Sequence, residues 1–501
     1  MVRLLATERT MHEMLPVTVI QELEGILGRD NIIVDEHRIM AYDCDAYVAE
    51  KFMPSAVVFP QTTEQVVAIV RCLAREGIPF LPRGAGTGLS GGATPMNHEV
   101  VISLAKMDQL LNLDFENRRA TVQPGFVNLM LTKRVANNGY YYAPDPSSQS
   151  VCTIGGNFAE NSGGSHCLKY GVTTNHVVAA EVVLPSGEIV TVGEPYGDPV
   201  GLDLLGVLVG SEGTLGITTA ITVKILPKPQ AVKTILAYFD QVDDASQTVS
   251  DIIAQGIVPA ACEIMDQLMI HAVEKSVYHV GYPEDIEAVL LVELDGMLES
   301  VEDNAQRVLD VCAQNHVRTS RIAQDDRERA LWWNSRKMAF PAIGRISPDY
   351  LVQDGVIPRT KLSAALQRVS ALSEEYGLRV ANVFHAGDGN LHPLICYDAR
   401  VEGQLQQALA LGQRILEVCV DMGGSITGEH GVGIEKIGHM AYMFSEEEIK
   451  AQIDLRRVFD PQGLCNAGKL IPSPGACVEN RSAHHTDDTV LAGVSQGGEH
   501  L

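Results

Sequence analysis

Apolar residues recur along the chain in two alternating rhythms. Thr18 to Leu27 carries the three-to-four residue spacing of a helix that ends near Gly28. Ala56-Val57-Val58-Phe59-Pro60 is a short continuous apolar run, read as a strand. Thr62 and Gln65 then form a capping-box pattern, and Val66, Ile69, Val70 and Leu73 make one stripe of a helix that stops at Gly77. Ile78 to Leu81 is a second strand, so this stretch is a βαβ unit. From 98 to 225 the pattern becomes short β-type pieces at 100–104, 119–123, 180–184, 188–192 and 217–226. Pro185-Ser186-Gly187 predicts a hairpin between two of them.

Pro227-Lys228-Pro229 interrupts the chain and marks a domain boundary. A second α+β pattern follows, with helices from Asp244 onward, over Leu362 to Tyr376 and over 401–421, and a strand at Val289 to Leu294. The expected organisation is a helical segment at 1–55, a first domain at 56–227, a second at 228–470 and a disordered tail at 471–501, where Ser, Gly, Pro, His and Asp replace aliphatics. No repeat of 20–50 residues is present.

Composition narrows the function classes. The 501 residues carry a formal net charge of −25, which argues against nucleic acid and against direct basic contact with anionic lipid. No apolar run approaches the ~18 residues of a membrane span, and no signal core follows Met1, so a cytoplasmic protein is expected. The ten cysteines include no CxxC pair, which argues against a cysteine-ligated iron–sulfur or zinc motif in this subunit.

Candidate chemistry begins at Pro82-Arg83-Gly84-Ala85-Gly86-Thr87-Gly88-Leu89-Ser90-Gly91-Gly92, where five glycines in eleven residues let backbone N–H groups converge on an anion. Gly86-x-Gly88-x-x-Gly91 matches the dinucleotide fingerprint, but a β-run rather than a helix follows, so a nicotinamide Rossmann site is not expected. Further polar loops come at Pro144-Asp145-Pro146-Ser147-Ser148, at Gly155-Gly156-Asn157, at Asn161-Ser162-Gly163-Gly164 and at Gly210 to Gly216. So many loops within about 135 positions suit a large polar ligand with a pyrophosphate and a flat ring.

In this order the loops resemble the FAD-binding domain of the vanillyl-alcohol oxidase / p-cresol methylhydroxylase flavoproteins. The resemblance covers roughly 40–470. It implies an α+β chain: a PCMH-type FAD-binding domain of two α/β subdomains, then an α+β FAD-linked oxidase C-terminal cap. It also implies that 82–92 wraps the pyrophosphate of FAD. Pro144, Asp145, Ser147, Ser148, Gly155, Gly156, Asn157, Asn161, Gly163 and Gly164 would line the ribityl and isoalloxazine portion, and Glu212, Gly213, Gly216 and Ile217 the nucleotide half. Some relatives attach the flavin through a histidine in the first loop; Thr87 stands there, so non-covalent FAD is expected.

In the second half, Phe384-His385-Ala386-Gly387-Asp388-Gly389-Asn390-Leu391-His392 places two histidines across strong turn chemistry. A tight connection would bring them together, the usual start of a transition-metal site, although two histidines satisfied by ordinary hydrogen bonds fit as well. Gly428-Glu429-His430-Gly431 adds a carboxylate, completing a facial set for Zn²⁺, Mn²⁺ or Fe²⁺, and a further histidine able to act as general base.

These segments resemble FAD-linked 2-hydroxy-acid dehydrogenases, a group that includes D-lactate and D-2-hydroxyglutarate dehydrogenases and, most similar in loops and length, the bacterial glycolate oxidase flavin subunit. The resemblance implies metal ligands His385, His392 and Glu429, the base His430 and a substrate-carboxylate arginine at Arg336. It further implies oxidation of a small 2-hydroxy acid, glycolate to glyoxylate foremost. A second FAD-domain subunit and an iron–sulfur subunit would carry electrons onward, with peripheral membrane association through them. Asn466 departs from the family pattern, with Ala467 where a proline is usual, and is still expected to help hold the flavin. Two readings from other classes are a non-catalytic FAD-binding subunit and a metal-dependent hydrolase without flavin.

Overall fold

The computed structural model describes residues 15–96, 98–197 and 200–472. The expected tail at 471–501 lies almost wholly outside the described residues.

The first sheet has four strands, in the order Ile32–Ile33, Ala56–Val58, Val100–Ser103, Phe80–Arg83. The Ile32–Ile33 strand, unforeseen in the sequence, pairs antiparallel with Ala56–Val58. The βαβ unit forms, but its two strands are not neighbours: Val100–Ser103 runs parallel between them and pairs with both. The helix Thr63–Glu76 buries Val66, Ile69, Val70 and Leu73 against Ala56, Phe80 and Ile102, which makes the apolar stripe the reason for its docking. Its N-terminus is half of the expected capping box. Thr62 accepts from the Gln65 N–H at 3.3 Å, but the Gln65 side chain accepts from the N–H of Gln61 at 2.7 Å, one residue short of the reciprocal bond.

The second sheet is antiparallel, in the order Leu110–Asp114, Arg119–Val122, Ile217–Lys224, Val177–Val183, Ile189–Gly193. The expected hairpin is present, with Val183 opposite Ile189 and the Gly187 N–H donating to Leu184 O at 2.8 Å. Leu110–Asp114 carries no strong sequence signal because it is a half-exposed edge strand.

Past the prolines, Ala231–Phe239 opens a large antiparallel sheet, in the order Thr319–Ile322, Ala231–Phe239, Ala288–Gly296, Ala261–Asp266, Val380–His385. Short strands continue it around His392. Helices Val242–Ala254 and Leu298–Gln314 cover one face, and Gln267–Glu274 with Trp332 and Trp333 covers the other. Alternate residues of each strand therefore serve two separate cores. The chain finally returns to the first sheet. Phe80 N–H donates to Leu464 O and Asn466 N–H to Phe80 O, and Cys465 is fully buried beside Phe80.

Candidate active site

A cleft of ≈ 760 Å³ runs between the glycine loops and the large-sheet half of the molecule. One wall is backbone-rich: the 82–88 segment, Ser147, Ser148, Gly155, Gly156, Asn157, Glu212, Gly213 and Gly216 all line it. The opposite wall brings Asn334, Lys337, Met338, Phe340, Pro341, Tyr350, Val352, Glu429 and His430. Glycine is required where the loops touch: a Cβ at Gly84 would lie 2.6 Å from Thr153 Oγ1. A Cβ at Gly163 would lie 2.7 Å from Glu429 Oε2, so this loop of the first half abuts the carboxylate of the second.

Several residues expected to touch a cofactor do not line the cleft themselves and brace the loops around it. Ile217 is buried in the first core, and only its neighbours Gly216 and Thr218 reach the cleft. Asp145 faces His166 at 2.9 Å and Lys337 at 3.8 Å. Pro144 O accepts from Asn128, and Gly164 packs against Asp145. Asn161 caps the helix Ile154–Glu160 and accepts from the Thr174 N–H. Ser90 donates to His430 O at 2.9 Å, and Gly91 packs against Ile434. Asn466 donates to Gly92 O at 3.0 Å and Glu212 O at 2.7 Å, so it ties two loops together.

The histidines do converge. The 386–389 turn folds back with Asp388 and Gly389 N–H donating to His385 O, which sets the His385 and His392 rings 5.1 Å apart. Glu429 Oε1 lies 3.3 Å from His385 Nε2 and 3.2 Å from His392 Nε2. These spacings match donors sharing one ion at bond lengths of about 2.0–2.2 Å. His392 is buried with Nε2 facing only carboxylate oxygens, Glu429 at 3.2 Å and Asp354 at 3.5 Å, and with Nδ1 unpartnered, surroundings that fit a site built for a cation. Asp354, His392, Glu429 and His430 also offer ligand atoms within 4.8 Å of one another, so Asp354 belongs to the same constellation.

Two buried carboxylates that sequence patterning did not single out organise this set. Glu263 faces His385 Nδ1 at 2.7 Å and leaves Nε2 directed at Glu429, the arrangement by which a second carboxylate orients a ligating imidazole. Burial alone would lower His385, but Glu263 and Glu429 outweigh it and push it up to about 10. Burial likewise opposes ionisation of Glu429, yet its bonds to His385 and His392 hold it well below the usual carboxylate range. Asp354 accepts from the N–H groups of Gly428 at 2.9 Å, Glu429 at 3.1 Å and His430 at 2.8 Å, and from Thr427 Oγ1 at 2.6 Å. The fully buried Lys436 sits 3.5 Å from the same oxygen.

Arg336 lies outside the cleft lining, 1% exposed and paired with Glu263 at 2.5 Å. Its Nε is buried without a partner, a donor still open to an anion. Lys337, the next residue, does reach the cleft. His430 stacks on His392 with ring centroids 5.0 Å apart and planes 7° apart. Burial pushes its imidazole down to about 4, so the ring is neutral near pH 7, with Nδ1 unpartnered.

Comparison with known proteins gives two domain matches: an FAD binding domain over residues 54–193 and the C-terminal domain of FAD linked oxidases over residues 228–470. The glycolate oxidase subunit GlcD of Escherichia coli strain K12 is 48% identical over 461 residues, 92% of each chain. A D-lactate dehydrogenase of Anaerostipes hadrus is 33% identical over 84% of this chain and 90% of its own. The crystal structure of p-cresol methylhydroxylase with substrate bound superposes with a TM-score of 0.79 at 18% identity, covering 91% of this chain and 97% of that one, which establishes the shared fold.

Proposed function

This chain belongs to the FAD-linked oxidases and is an FAD-dependent hydroxy-acid oxidoreductase, and we propose that its substrate is glycolate, oxidised to glyoxylate. The observation that carries the proposal is His430: a neutral imidazole on the cleft wall, beside Glu429 and stacked on His392.

The cleft fits FAD, because it is long, backbone-rich and lined by glycine loops in the order of an FAD-binding domain. Thr87 lines it with no histidine alongside in the loop, in keeping with non-covalent binding. The convergence of His385 Nε2 and His392 Nε2 on Glu429 Oε1 fits a divalent Zn²⁺, Mn²⁺ or Fe²⁺ held by His385, His392 and Glu429. When bound, FAD supplies a two-electron acceptor and the ion supplies Lewis acidity toward the substrate hydroxyl.

The chain's own residues do the rest. Lys337 supplies positive charge in the cleft for the substrate carboxylate, and Arg336, the residue before it, adds its own from behind the wall with Nε unpartnered. These cations answer the difficulty a chain of −25 has in drawing in an anion. The hydroxyl proton passes to a ring nitrogen of His430, which is available because burial keeps the ring unprotonated. Asp354 holds the His430 backbone still while this happens.

The ten cysteines include no CxxC pair, so electrons leave through other proteins: a second FAD-domain subunit and an iron–sulfur subunit, in keeping with a relative that is itself named a subunit. No helix among the described residues is long and apolar enough to cross a membrane, and we place the complex in the cytoplasm, at the membrane face only through those partners. A stand-alone D-lactate or D-2-hydroxyglutarate dehydrogenase is the second reading, favoured by the D-lactate dehydrogenase relative. An anaerobic substrate panel separates them. Glycolate should bleach the bound flavin fastest; faster bleaching by D-lactate or D-2-hydroxyglutarate would overturn the glycolate assignment.

A further inference from the structure

One acidic side chain in the cleft is left unused by this chemistry. Glu160 ends the helix Ile154–Glu160 and lines the cleft beside Glu212. A Cβ at Gly92 would lie 2.7 Å from Glu160 Oε1 and 3.9 Å from Glu212 Oε2, while one at Gly431 would strike Glu160 Oε2 and lie 2.7 Å from Glu212 Oε1. The two carboxyl groups therefore flank the same two glycines, one at the end of the first glycine loop and one directly after His430.

Their surroundings differ. Burial raises the Glu212 carboxyl, but it accepts from the N–H groups of Val432 at 2.6 Å and Gly433 at 2.7 Å, bonds that favour its ionised form and offset part of that rise. Glu160 Oε2 is buried with no hydrogen-bond partner. The other charged groups that act on Glu160 are Asp45, Lys436 and Lys469. Lys469 is engaged with Gly92 O and Asn466 Oδ1, and Lys436 with Asp354 and Gly431 O. Two adjacent carboxylates in dry surroundings cannot both ionise, and the one without N–H donors keeps the proton. Burial and the Glu212 charge accordingly push Glu160 well above the ordinary carboxyl range.

We propose that Glu160 is a cofactor-contacting residue, a neutral carboxyl group whose O–H donates a hydrogen bond to the flavin ring of bound FAD. Its position on the cleft wall against Gly431, the residue after His430, is what points it at the ring. The inference rests on the FAD reading above. No bond is made or broken; the carboxyl group sets the affinity and reduction potential of the flavin through one donor.

The test compares FAD affinity and flavin midpoint potential in the reconstituted wild type, Glu160→Gln and Glu160→Ala at pH 7. The amide of Glu160→Gln keeps a donor, so its affinity should stay within about threefold of wild type at pH 7 and its potential should hold. Glu160→Ala should bind FAD about tenfold more weakly, as for one lost buried hydrogen bond, and its flavin should be harder to reduce. A Glu160→Gln protein that loses affinity as Glu160→Ala does, or a weakened Glu160→Ala with unchanged potential, would overturn the assignment. A wild-type chain that binds no FAD would instead overturn the FAD reading on which the inference rests.

Discussion

The Asp354 carboxylate accepts the backbone N–H of His430 at 2.8 Å, and the same oxygen takes the N–H groups of Gly428 and Glu429. One buried anion thus fixes three consecutive residues, two of which are the proposed ligand Glu429 and the proposed base His430. Asp354→Ala should leave three N–H donors, the Thr427 hydroxyl and the Lys436 ammonium without their acceptor, at a cost of about 3–5 kcal/mol. Asp354→Asn keeps one acceptor and should retain the fold but lower kcat more than KM changes. Thermal unfolding and steady-state kinetics on both variants check this; an Asp354→Asn protein with wild-type kcat would contradict it.

Glu263 orients His385 through Nδ1, so its removal should be felt at the metal rather than at the flavin. Glu263→Gln should weaken divalent-metal affinity about 10–100-fold while FAD content stays constant. Metal titration of the apo-protein with Zn²⁺ or Mn²⁺ measures it, and an unchanged affinity would remove Glu263 from the ligand-orienting role.

Chelation separates the two cofactors. The glycine loops that line the FAD side of the cleft include none of His385, His392 and Glu429. Dialysis against a chelator should therefore abolish substrate oxidation, preserve the flavin spectrum, and be reversed by adding back the ion. Loss of flavin in step with the metal would contradict this division.

The pH dependence follows from His430. Burial pushes it down to about 4, so the imidazole is a competent base above that value and loses its lone pair to a proton as the pH falls through it. kcat/KM should hold from neutral pH to about 5.5, where an unperturbed histidine, with its value of about 6.5, would already have lost most of its activity. An acid limb centred near 6.5 would contradict the buried, neutral base.

Much of the site was legible because its signals are local. The glycine loops, the two histidines around a turn and the Gly-Glu-His-Gly segment each declare their chemistry within about ten residues. Glu263 and Asp354 act on partners 122 and 76 positions away, and that pairing exists only after folding. Glu263 is a lone carboxylate in the apolar run Ala260 to Met265, a conflict with strand burial that could have flagged it. Asp354, between Gln353 and Gly355, reads only as turn chemistry. The same limit explains Ile217: the sequence places it beside a ligand loop, and strand alternation then points its side chain into the core while Gly216 and Thr218 face the cleft. The Ile32–Ile33 strand is too short for periodicity to reveal, and only its pairing with Ala56–Val58 makes it one.

The most direct test of the proposed chemistry is anaerobic bleaching of the bound flavin by glycolate in the wild type and in His430→Ala. The wild type should bleach fully, and the variant, with FAD and metal both retained, should not bleach on the same time scale. Bleaching of His430→Ala at the wild-type rate would contradict the assignment of His430 as the base.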